Sequence, residues 1–358
     1  MKNFFIVMAG GVGSRFWPRS RKKNPKQLLN INSLFSMIQN TIKRLEGLAA
    51  PDDILIITTK EQKDNLIEQV PFIPAKNIIV EPFGRNTAPC IGLAAIYLEA
   101  QHPDAVMSII CADHTIADET EFKRVLKLGA ETTYKSKSII TMGIIPRRPD
   151  IGFGYIQFDN DDNNSYEKGI FKVKRFTEKP NIETAKQFLK SGNFLWNSGM
   201  FIFRVDVILE HYKKHLPDLY NALKNLSGKF FNPNFETELE DTYKKINGIS
   251  IDYGIMEKAN DVLVIKGDFG WSDFGSWDEV YLSSTKNENG NVAVGEHIMI
   301  NSNNSYIYSP NKLVATIGID DLIIINTDDS LLICKRGQSQ EVKDVVDILK
   351  SKQRDELL

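Results

Sequence analysis

The amino-acid sequence predicts an α/β fold in which a mostly parallel, mixed sheet is flanked by helices and followed by a small β-rich domain. Three observations support this. Short apolar runs alternate with longer amphipathic segments in the first half, a glycine-rich loop follows the first run, and from about residue 286 short apolar runs are separated by Asn, Ser and Gly. Alternating strands and helices indicate parallel strands with helical crossovers, whereas closely spaced short strands indicate a separate β-domain.

Apolar runs of strand type form the predicted sheet. They are Phe4–Ala9, Ile54–Thr58, Ile78–Val80, Ala105–Cys111 and Ile139–Ile144. Helical patterns lie between them at Ser36–Leu45, Lys60–Gln69, Ala88–Ala100 and Glu119–Lys135. The result is a Rossmann-like sheet, and such sheets bind ligands at the carboxyl ends of their strands. The loops that follow Ala9 and Cys111 are therefore expected at one edge.

The remaining chain divides into two parts. Residues 151–285 mix strands, turns and helices, and we interpret them as the second half of a domain spanning 1–285, whose first half is 1–150. Within this second half we expect a polar hairpin tip at 159–165 and a mobile connection at 225–240. Residues 286–358 form the small β-domain, interpreted as a solenoid fragment such as a short left-handed β-helix that ends in a helix at Glu341–Leu349, although no strict repeat is visible.

Composition excludes several classes of protein. The 358 residues include 44 lysines and arginines against 46 acidic residues, a net charge of −2, which predicts no nucleic-acid partner. No stretch reaches the roughly 18 apolar residues of a membrane span. Cys90, Cys111 and Cys334 lack a CxxC spacing, which argues against a disulfide framework or structural zinc and fits a cytoplasmic protein.

The glycine-rich loop predicts phosphate binding. Its glycines let backbone N–H groups approach a ligand, and nearby cations add to the anion site. No Gly-Lys-Ser/Thr follows, so it is not a Walker loop, and Phe16 replaces the third glycine of a dinucleotide fingerprint. A tight turn beside a basic surface is the alternative. The candidates are Ala9, Gly10, Gly11 and Gly13, with Arg15 and Lys26 as cations suited to a triphosphate.

Two aspartates are candidate metal ligands. Asp113 follows a buried strand at the edge that carries the phosphate loop, and Asp273 lies within Gly270–Gly275. Mg²⁺ usually takes one or two carboxylates and completes its coordination with substrate phosphates and water, so this pair would suffice. The alternatives are a helix N-cap for Asp113 and a turn with aromatic anchors for Asp273.

The segment Glu81–Pro89 follows the third strand and is a candidate base-binding loop. A carboxylate such as Glu81 can accept from both N1–H and N2–H of guanine, whereas adenine offers no such donor pair. Arg85 and Asn86 complete the nucleotide-binding candidates. Alternatively, Glu81 pairs with Arg85, and Asn86 or Thr87 caps the next helix.

Polar residues of the second half are candidates for binding an acceptor. Lys179 is a compact cation for a monophosphate, and Glu178 and Asn197 can bind sugar hydroxyls. Gly154 lies in another loop suited to close approach. An exposed strand end, an Asn-Ser-Gly turn and a bulged strand are the alternatives.

Eight segments, in order, carry a resemblance to the sugar-1-phosphate nucleotidylyltransferases. The segment with Glu81 is similar to the guanylyl branch of that family, whereas Val12, Ser14 and Phe16 depart from the family's usual Gly-Gly-Ser-Gly-Thr-Arg-Leu-Trp-Pro. The resembling segments reach about Val280. They are MAGGVGSRFWPRSRKKNPKQLL, VEPFGRNTAPCIGLAA, CADHTI, GFGYI, RFTEKP, WNSGMFIF, SIDYGIMEKA and GWSDFGSWDEV.

This resemblance implies a GT-A-like nucleotidyltransferase fold that transfers GMP from GTP to a sugar 1-phosphate, with mannose 1-phosphate the best match, Mg²⁺ as cofactor and pyrophosphate as product. A homodimer joined through the β-domain is a further expectation. A guanylyltransferase for another sugar, such as a manno-heptose, and a non-catalytic sugar-nucleotide sensor are the alternatives. The implied roles are leaving-group stabilisation for Arg15 and Lys26, metal binding for Asp113 and Asp273, guanine binding for Glu81, sugar binding for Glu178, Asn197 and Asp252, and phosphate binding for Lys179.

Overall fold

The structure, a computed structural model, describes residues 1–159 and 169–358 and contains a large sheet, helices on both faces and a smaller β-domain. Its strands are β1 (Asn3–Ala9), β2 (Ile54–Thr59), β3 (Ile78–Glu81), β4 (Val106–Cys111), β5 (Thr115–Ile116), β6 (Ile139–Ile144), β7 (Tyr155–Phe158), β8 (Ile170–Thr177), β9 (Phe194–Arg204), β10 (Val262–Gly267), β11 (Trp271–Ser272), β12 (Val292–Val294), β13 (His297–Ile300), β14 (Tyr306–Tyr308), β15 (Val314–Ile317), β16 (Leu322–Asn326) and β17 (Leu331–Lys335). Its helices are α1 (Met37–Arg44), α2 (Lys63–Gln69), α3 (Thr87–Glu99), α4 (Glu119–Ser136), α5 (Ile182–Ser191), α6 (Val205–His215), α7 (Pro217–Lys224), α8 (Phe235–Lys245), α9 (Trp277–Ser283) and α10 (Val342–Ser351).

The large sheet has the order β3-β2-β1-β4-β9-β6-β10-β8-β7, and β7 also pairs with β9. The first four strands pair in parallel, as do β6 and β10. β9 is antiparallel to β4 and β6, and β8 is antiparallel to β10 and β7. Within this sheet β8 and β9 therefore run against the other strands, which confirms the mostly parallel, mixed sheet.

The two faces of the sheet pack into separate apolar cores. Along β1, Phe5 and Val7 enter one core with residues of α1 and α4, whereas Phe4 and Ile6 enter the other with residues of α3, α6 and α8. Successive side chains of a strand point to opposite faces, so a continuous apolar run is what a strand covered on both faces requires.

The predicted strands and helices of the first half are present with small shifts at their ends, and β6 has the predicted bounds, whereas the two-residue strand β5 was not predicted. The mobile connection expected at 225–240 is wrong, because α8 begins inside it. Phe235, Leu239 and Tyr243 recur every four residues and pack against the second core, so the amphipathic pattern was present in the sequence. The polar hairpin tip expected at 159–165 lies, after its first residue, outside the described residues.

The C-terminal β-domain is a short parallel coil. β12, β14 and β16 pair in parallel, β13 pairs in parallel with β15, and β17 pairs antiparallel with β16. Asn303 donates to Asp320, 17 residues further along, and Asn311 donates to Asp328 at the same separation of 17 residues. The structure therefore has a spacing of 17 residues between successive turns, although the sequence shows no strict repeat.

A third core joins this domain to the phosphate loop. Phe16 and Trp17 are buried there together with Trp277, Tyr306 and Ile323. The Trp277 indole donates to the carbonyl of Trp17 at 3.1 Å, and the Phe16 and Trp277 rings lie 5.0 Å apart. The turn that carries Arg15 is thus supported by α9 and by strands of the β-domain. None of the helices in the described residues is long and apolar enough to span a membrane.

Candidate active site

The carbonyl groups of the phosphate loop are already bonded. Gln27 Nε2 donates at 2.9 Å to the carbonyl oxygens of both Ala9 and Gly11. Gln62 Nε2 also donates to the Gly11 oxygen, at 3.3 Å. Because two buried amide side chains hold these oxygens, the loop backbone is fixed with its carbonyl groups turned towards the protein.

The N–H groups of the same loop are available. Those of Gly11, Val12 and Gly13 donate to no partner among residues 1–159 and 169–358. Gly13 has a φ of +68°, and a Cβ at this position would lie 2.3 Å from Cβ of Lys26. Glycine is therefore required here, and successive free N–H groups form a concave site for an anion.

Lys26 forms hydrogen bonds with predicted residues from two other segments of the chain. Its side chain is 4% exposed, and Nζ donates to Oδ2 of Asp113 at 2.8 Å and to the carbonyl oxygen of Asp273 at 2.5 Å. Arg15 lies two residues after Gly13, in the short helical turn Ser14–Phe16, is exposed, and forms no ion pair with a described residue. The site thus holds one fixed cation and one free cation beside the open N–H groups.

Asp113 and Asp273 lie near each other because β5 and β11 pair, with Ser272 opposite Thr115. Oδ1 of Asp273 is buried and has no partner in the described part of the chain. Oδ1 of Asp113 lies 3.9 Å from the nearest ring nitrogen of His114, beyond hydrogen-bond distance. Two carboxylates that lie near each other beside the predicted phosphate site fit a divalent metal ion.

The pKa values of the two carboxylates are shifted in opposite directions. Burial is the largest single influence and raises the pKa of Asp113, but the charges of Lys26 and His114 and the hydrogen bonds to this carboxylate together outweigh it, so its pKa is lowered. Burial, followed by the charge of Glu279, raises the pKa of Asp273 to about 7. Burial therefore favours the protonated form of Asp273 although the Lys26 charge opposes it, and a bound cation would favour the ionised form.

The base-binding candidates lie on a loop held by α8. Glu81 is 3% exposed, Oε1 accepts from the Tyr243 hydroxyl at 2.9 Å, and burial raises its pKa to about 7. Arg85 Nε donates to the Tyr243 carbonyl at 3.1 Å, so the alternative pairing of Glu81 with Arg85 is not formed. Asn86 has a φ of +70° and accepts from the Thr87 N–H at 2.8 Å, which makes it the cap of α3.

A cavity of about 190 Å³ lies between β4, β9 and the loop before β7. Asn197 donates to Oδ1 of Asp252 at 2.6 Å in its wall. A Cβ on Gly154 would lie 2.3 Å from Oε2 of Glu178, so glycine leaves room for this carboxylate in its observed position. Five predicted residues of the second half line the cavity, namely Gly154, Glu178, Asn197, Asp252 and Asp273.

Lys179 stands beside this cavity in a strained backbone conformation, with a φ of +45°. Its Nζ donates to Oε1 of Glu178 at 2.8 Å, and that hydrogen bond raises the pKa of Lys179. Burial and the charge of Glu178 raise the pKa of Asp252 to about 6. The sugar side of the site thus has two carboxylates and one cation.

Sequence reasoning missed the supporting residues. Gln27 entered it only as part of a motif, and Gln62 and Tyr243 were not considered. The four-residue spacing in α8 could have indicated that Tyr243 is buried. No pattern in a single sequence shows that Gln62 meets Gln27, at 3.1 Å between Nε2 and Oε1.

Comparison with known protein families identifies the fold that carries this site. Residues 5–290 match the model of the nucleotidyl transferase family, and residues 295–349 match that of the MannoseP isomerase/GMP-like β-helix domain. This chain belongs to the nucleotidyl transferase family. Members of this family generally use a divalent metal.

The relatives of this nucleotidyl transferase include named enzymes. It is 39% identical to the mannose-1-phosphate guanylyltransferase of Escherichia coli (strain K12), over 99% of this chain and 75% of the relative. It is 40% identical to the mannose-1-phosphate guanylyltransferase of Klebsiella pneumoniae, over 98% and 74%. The chain thus spans about three quarters of the length of these relatives.

A solved structure also resembles this nucleotidyl transferase over its whole length. The protein described as mannose-1-phosphate geranyltransferase from Thermus thermophilus has a TM-score of 0.85 and 29% identity, over 98% of this chain and 100% of that one. A mannose-6-phosphate isomerase from Helicobacter pylori has a TM-score of 0.61 and 26% identity, over 76% of this chain and 100% of that one. The predicted α/β nucleotidyltransferase fold with a C-terminal β-domain is confirmed.

Proposed function

We propose that this chain transfers GMP from GTP to α-D-mannose 1-phosphate, giving GDP-mannose and pyrophosphate. Relatives named mannose-1-phosphate guanylyltransferase align over nearly the whole chain. The observation that carries the proposal is the contact of Lys26 with both Asp113 and Asp273, beside the free N–H groups of the loop at Gly11–Gly13. This arrangement supports triphosphate chemistry.

The proposed reaction is an in-line displacement. An oxygen of the sugar phosphate attacks the α-phosphorus of GTP, the new P–O bond forms, and the bond to the bridging oxygen of pyrophosphate breaks. The protein supplies positioning and charge neutralisation rather than a covalent intermediate. Arg15, Lys26 and the loop N–H groups, with Gly10 beside them, bind the β- and γ-phosphates and stabilise the charge that develops on pyrophosphate.

The proposed metal is Mg²⁺. Asp113 and Asp273 would hold it, and its positive charge would neutralise the nucleotide phosphates and the attacking phosphate. The orphaned Oδ1 atom of Asp273 supports this assignment, because a buried carboxylate oxygen without a partner is costly.

The acceptor occupies the cavity beside β9 in this proposal. Lys179 leaves Glu178 and binds the phosphate of mannose 1-phosphate as a compact cation. Glu178, Asn197 and Asp252 then bind sugar hydroxyls, and Gly154 keeps space open for the Glu178 carboxylate. On the nucleotide side, Glu81 accepts from the guanine edge, with Arg85 and Asn86 in the same loop.

We also propose a homodimer through the C-terminal domain, which we take to begin near residue 286. Ile298 and Ile300 of β13 and Ile317 of β15 are 49%, 48% and 69% exposed, on strands that pair only with each other in the described chain. An exposed apolar face of this kind is typical of an interface. We also propose a cytoplasmic location, because Cys90, Cys111 and Cys334 are free thiols, as expected in a reducing compartment.

Product identification tests the proposed function. The chain is incubated with Mg²⁺, one nucleoside triphosphate and one sugar 1-phosphate from a panel that includes mannose, glucose and manno-heptose. Pyrophosphate release and the nucleotide sugar are measured. GTP with mannose 1-phosphate is expected to give the highest kcat/KM. A higher kcat/KM with another sugar would change the acceptor, and release without GDP-mannose would contradict the proposal.

A further inference from the structure

A buried hydrogen bond joins the base-binding loop to α8. The Tyr243 hydroxyl donates to Oε1 of Glu81 at 2.9 Å, and both residues are almost fully buried, at 0% and 3% exposure. Burial and the nearby carboxylate raise the pKa of Tyr243 well above its ordinary value, so the hydroxyl keeps its proton and remains a donor. No other side chain in the described residues donates to this carboxylate.

α8 and the segment after it also hold the rest of the loop. Arg85 Nε donates to the Tyr243 carbonyl at 3.1 Å, and the Phe83 ring meets the Tyr243 ring edge-on, with centroids 6.1 Å apart. Further along, the Ala88 N–H donates to the carbonyl oxygen of Ile249 at 3.0 Å. One continuous segment, residues 243–249, therefore fixes the base-binding loop from its first residue to the start of α3.

The hydrogen bond decides which oxygen of Glu81 is available. Oε1 is occupied by Tyr243, whereas Oε2 lies on the side of Gly10, where an added Cβ would be 3.4 Å away. Burial favours the neutral carboxylic acid, and the Tyr243 hydroxyl opposes this by stabilising the carboxylate. The tyrosine thus favours both one orientation and the charge state that accepts hydrogen bonds.

We propose that Tyr243 is a positioning residue for base selection: its hydroxyl holds Glu81 as an oriented acceptor and so sets the preference for guanine over hypoxanthine and adenine. This inference rests on the proposed function, in which Glu81 binds the guanine edge. It extends that function by assigning the origin of base selectivity to α8, which contributes no residue to the phosphate loop or to the lining of the sugar cavity.

The test compares GTP, ITP and ATP with mannose 1-phosphate in wild type and Tyr243→Phe. Hypoxanthine lacks the 2-amino group of guanine, so the ratio of kcat/KM for GTP to that for ITP reports the acceptor at this edge. In Tyr243→Phe this ratio is expected to fall about tenfold or more, through a higher KM for GTP. A ratio measured within one preparation does not depend on the folded fraction, so a merely structural role would leave it unchanged.

Two further variants give the test its controls. Tyr212 is an equally buried tyrosine of the same core, but its hydroxyl donates at 2.6 Å to the carbonyl oxygen of Ala88. Tyr212→Phe also loses a buried hydroxyl and is expected to keep the wild-type ratio. Glu81→Gln replaces the carboxylate by an amide and is expected to abolish the preference, and adding Tyr243→Phe to it should change the ratio no further.

The outcomes separate the inference from the function on which it rests. If Tyr243→Phe keeps the wild-type ratio while Glu81→Gln lowers it, the inference is overturned and guanine binding by Glu81 stands. If Tyr212→Phe lowers the ratio as much as Tyr243→Phe does, the specific role of Tyr243 is also overturned. If the wild-type protein forms no GDP-mannose or does not distinguish GTP from ITP and ATP, the inference fails together with the base-binding role of Glu81.

Discussion

The predicted phosphate loop and the predicted sugar-phosphate pocket, which is the cavity lined by Gly154, Glu178 and Asn197, hold their cations in different ways. Lys26 is buried and bonded to Asp113 and to the Asp273 carbonyl, two acceptors from separate segments. Lys179 has a side chain that is 60% exposed, and its described partner is Glu178, the residue before it. One cation is fixed by tertiary structure, whereas the other is held by a local contact that a substrate phosphate can replace.

The difference follows the chemistry that each region would perform. Charge develops on the leaving pyrophosphate, and donors that are fixed beforehand stabilise a transition state without reorganising. The acceptor phosphate carries the same charge before and after binding, so its site can exchange partners. We therefore expect changes in the phosphate loop to lower kcat and changes in the pocket to raise KM.

The largest expected effect is on kcat, in variants of the residues proposed to bind the metal ion and the triphosphate. Asp273→Asn removes one proposed metal ligand, and Arg15→Ala removes the free cation. Each is expected to lower kcat by about 10²–10³-fold, because transition-state charge loses its partner. The exposed residues Asp268 and Lys23 give the matched controls Asp268→Asn and Lys23→Ala. Near-normal kcat in both Asp273→Asn and Arg15→Ala would contradict the proposed mechanism.

Alanine in place of one glycine in each region sharpens the comparison. At Gly13 the new Cβ would lie 2.3 Å from Cβ of Lys26 at a φ of +68°, so Gly13→Ala is expected to lower both kcat and thermal stability. At Gly154 the clash, also 2.3 Å, is with the terminal oxygen of Glu178, which can move. Gly154→Ala should therefore raise the KM for the sugar phosphate severalfold with little loss of kcat. Steady-state kinetics with each substrate varied would measure both effects. A lower kcat in Gly154→Ala together with an unchanged kcat in Gly13→Ala would contradict this prediction.

The fold was predictable from the sequence because periodicity and strand–helix alternation are local. The run Ile139–Ile144 is a strand with the predicted bounds, and the loops after Ala9 and Cys111 lie at one edge because parallel strands end there together. The 17-residue register of the β-domain was not predictable in this way, since few residues are shared between its turns.

The candidate site was predictable only in part. Glycine spacing and nearby cations predicted a phosphate loop, side-chain chemistry predicted a phosphate contact for Lys179, and the resemblance supplied the role of Asp252. Tyr243 was missed because its partner Glu81 is 162 residues away, and the hydrogen bond depends on how α8 packs on the second core. Contacts of this kind follow from tertiary packing and leave no local signal.

A smaller effect is expected for Lys179→Ala. Loss of the cation should raise the KM for mannose 1-phosphate about tenfold, the range of a charged hydrogen bond, with kcat within a few-fold of wild type. Lys186 is a suitable control, because it pairs with Glu183 on the exposed face of α5 at 3.0 Å. A fall in kcat with unchanged KM would show that this region is as rigid as the loop.

The smallest expected effect concerns stability and pH. Glu81 has its pKa raised from 4.5 to about 7 in the fold, so the folded state binds this proton more tightly than the unfolded state does. This contribution is complete below pH 4.5 and is lost as pH rises through about 7. Glu81→Gln should therefore reduce the decline in unfolding free energy between pH 5 and 8 by on the order of 1–2 kcal/mol. Urea titrations of both proteins at each pH measure the unfolding free energy. The exposed Glu257→Gln should leave the slope unchanged, and an equal effect there would contradict the assignment.

The central claim is that Asp113 and Asp273 hold one divalent ion against a triphosphate bound at Gly11–Gly13. Anomalous diffraction from crystals grown with Mn²⁺ and a non-hydrolysable GTP analogue tests it most directly. The account predicts one manganese peak coordinated by both aspartates and by phosphate oxygens, with the β- and γ-phosphates on the loop N–H groups. A peak that contacts neither aspartate, or a triphosphate bound away from this loop, would contradict it.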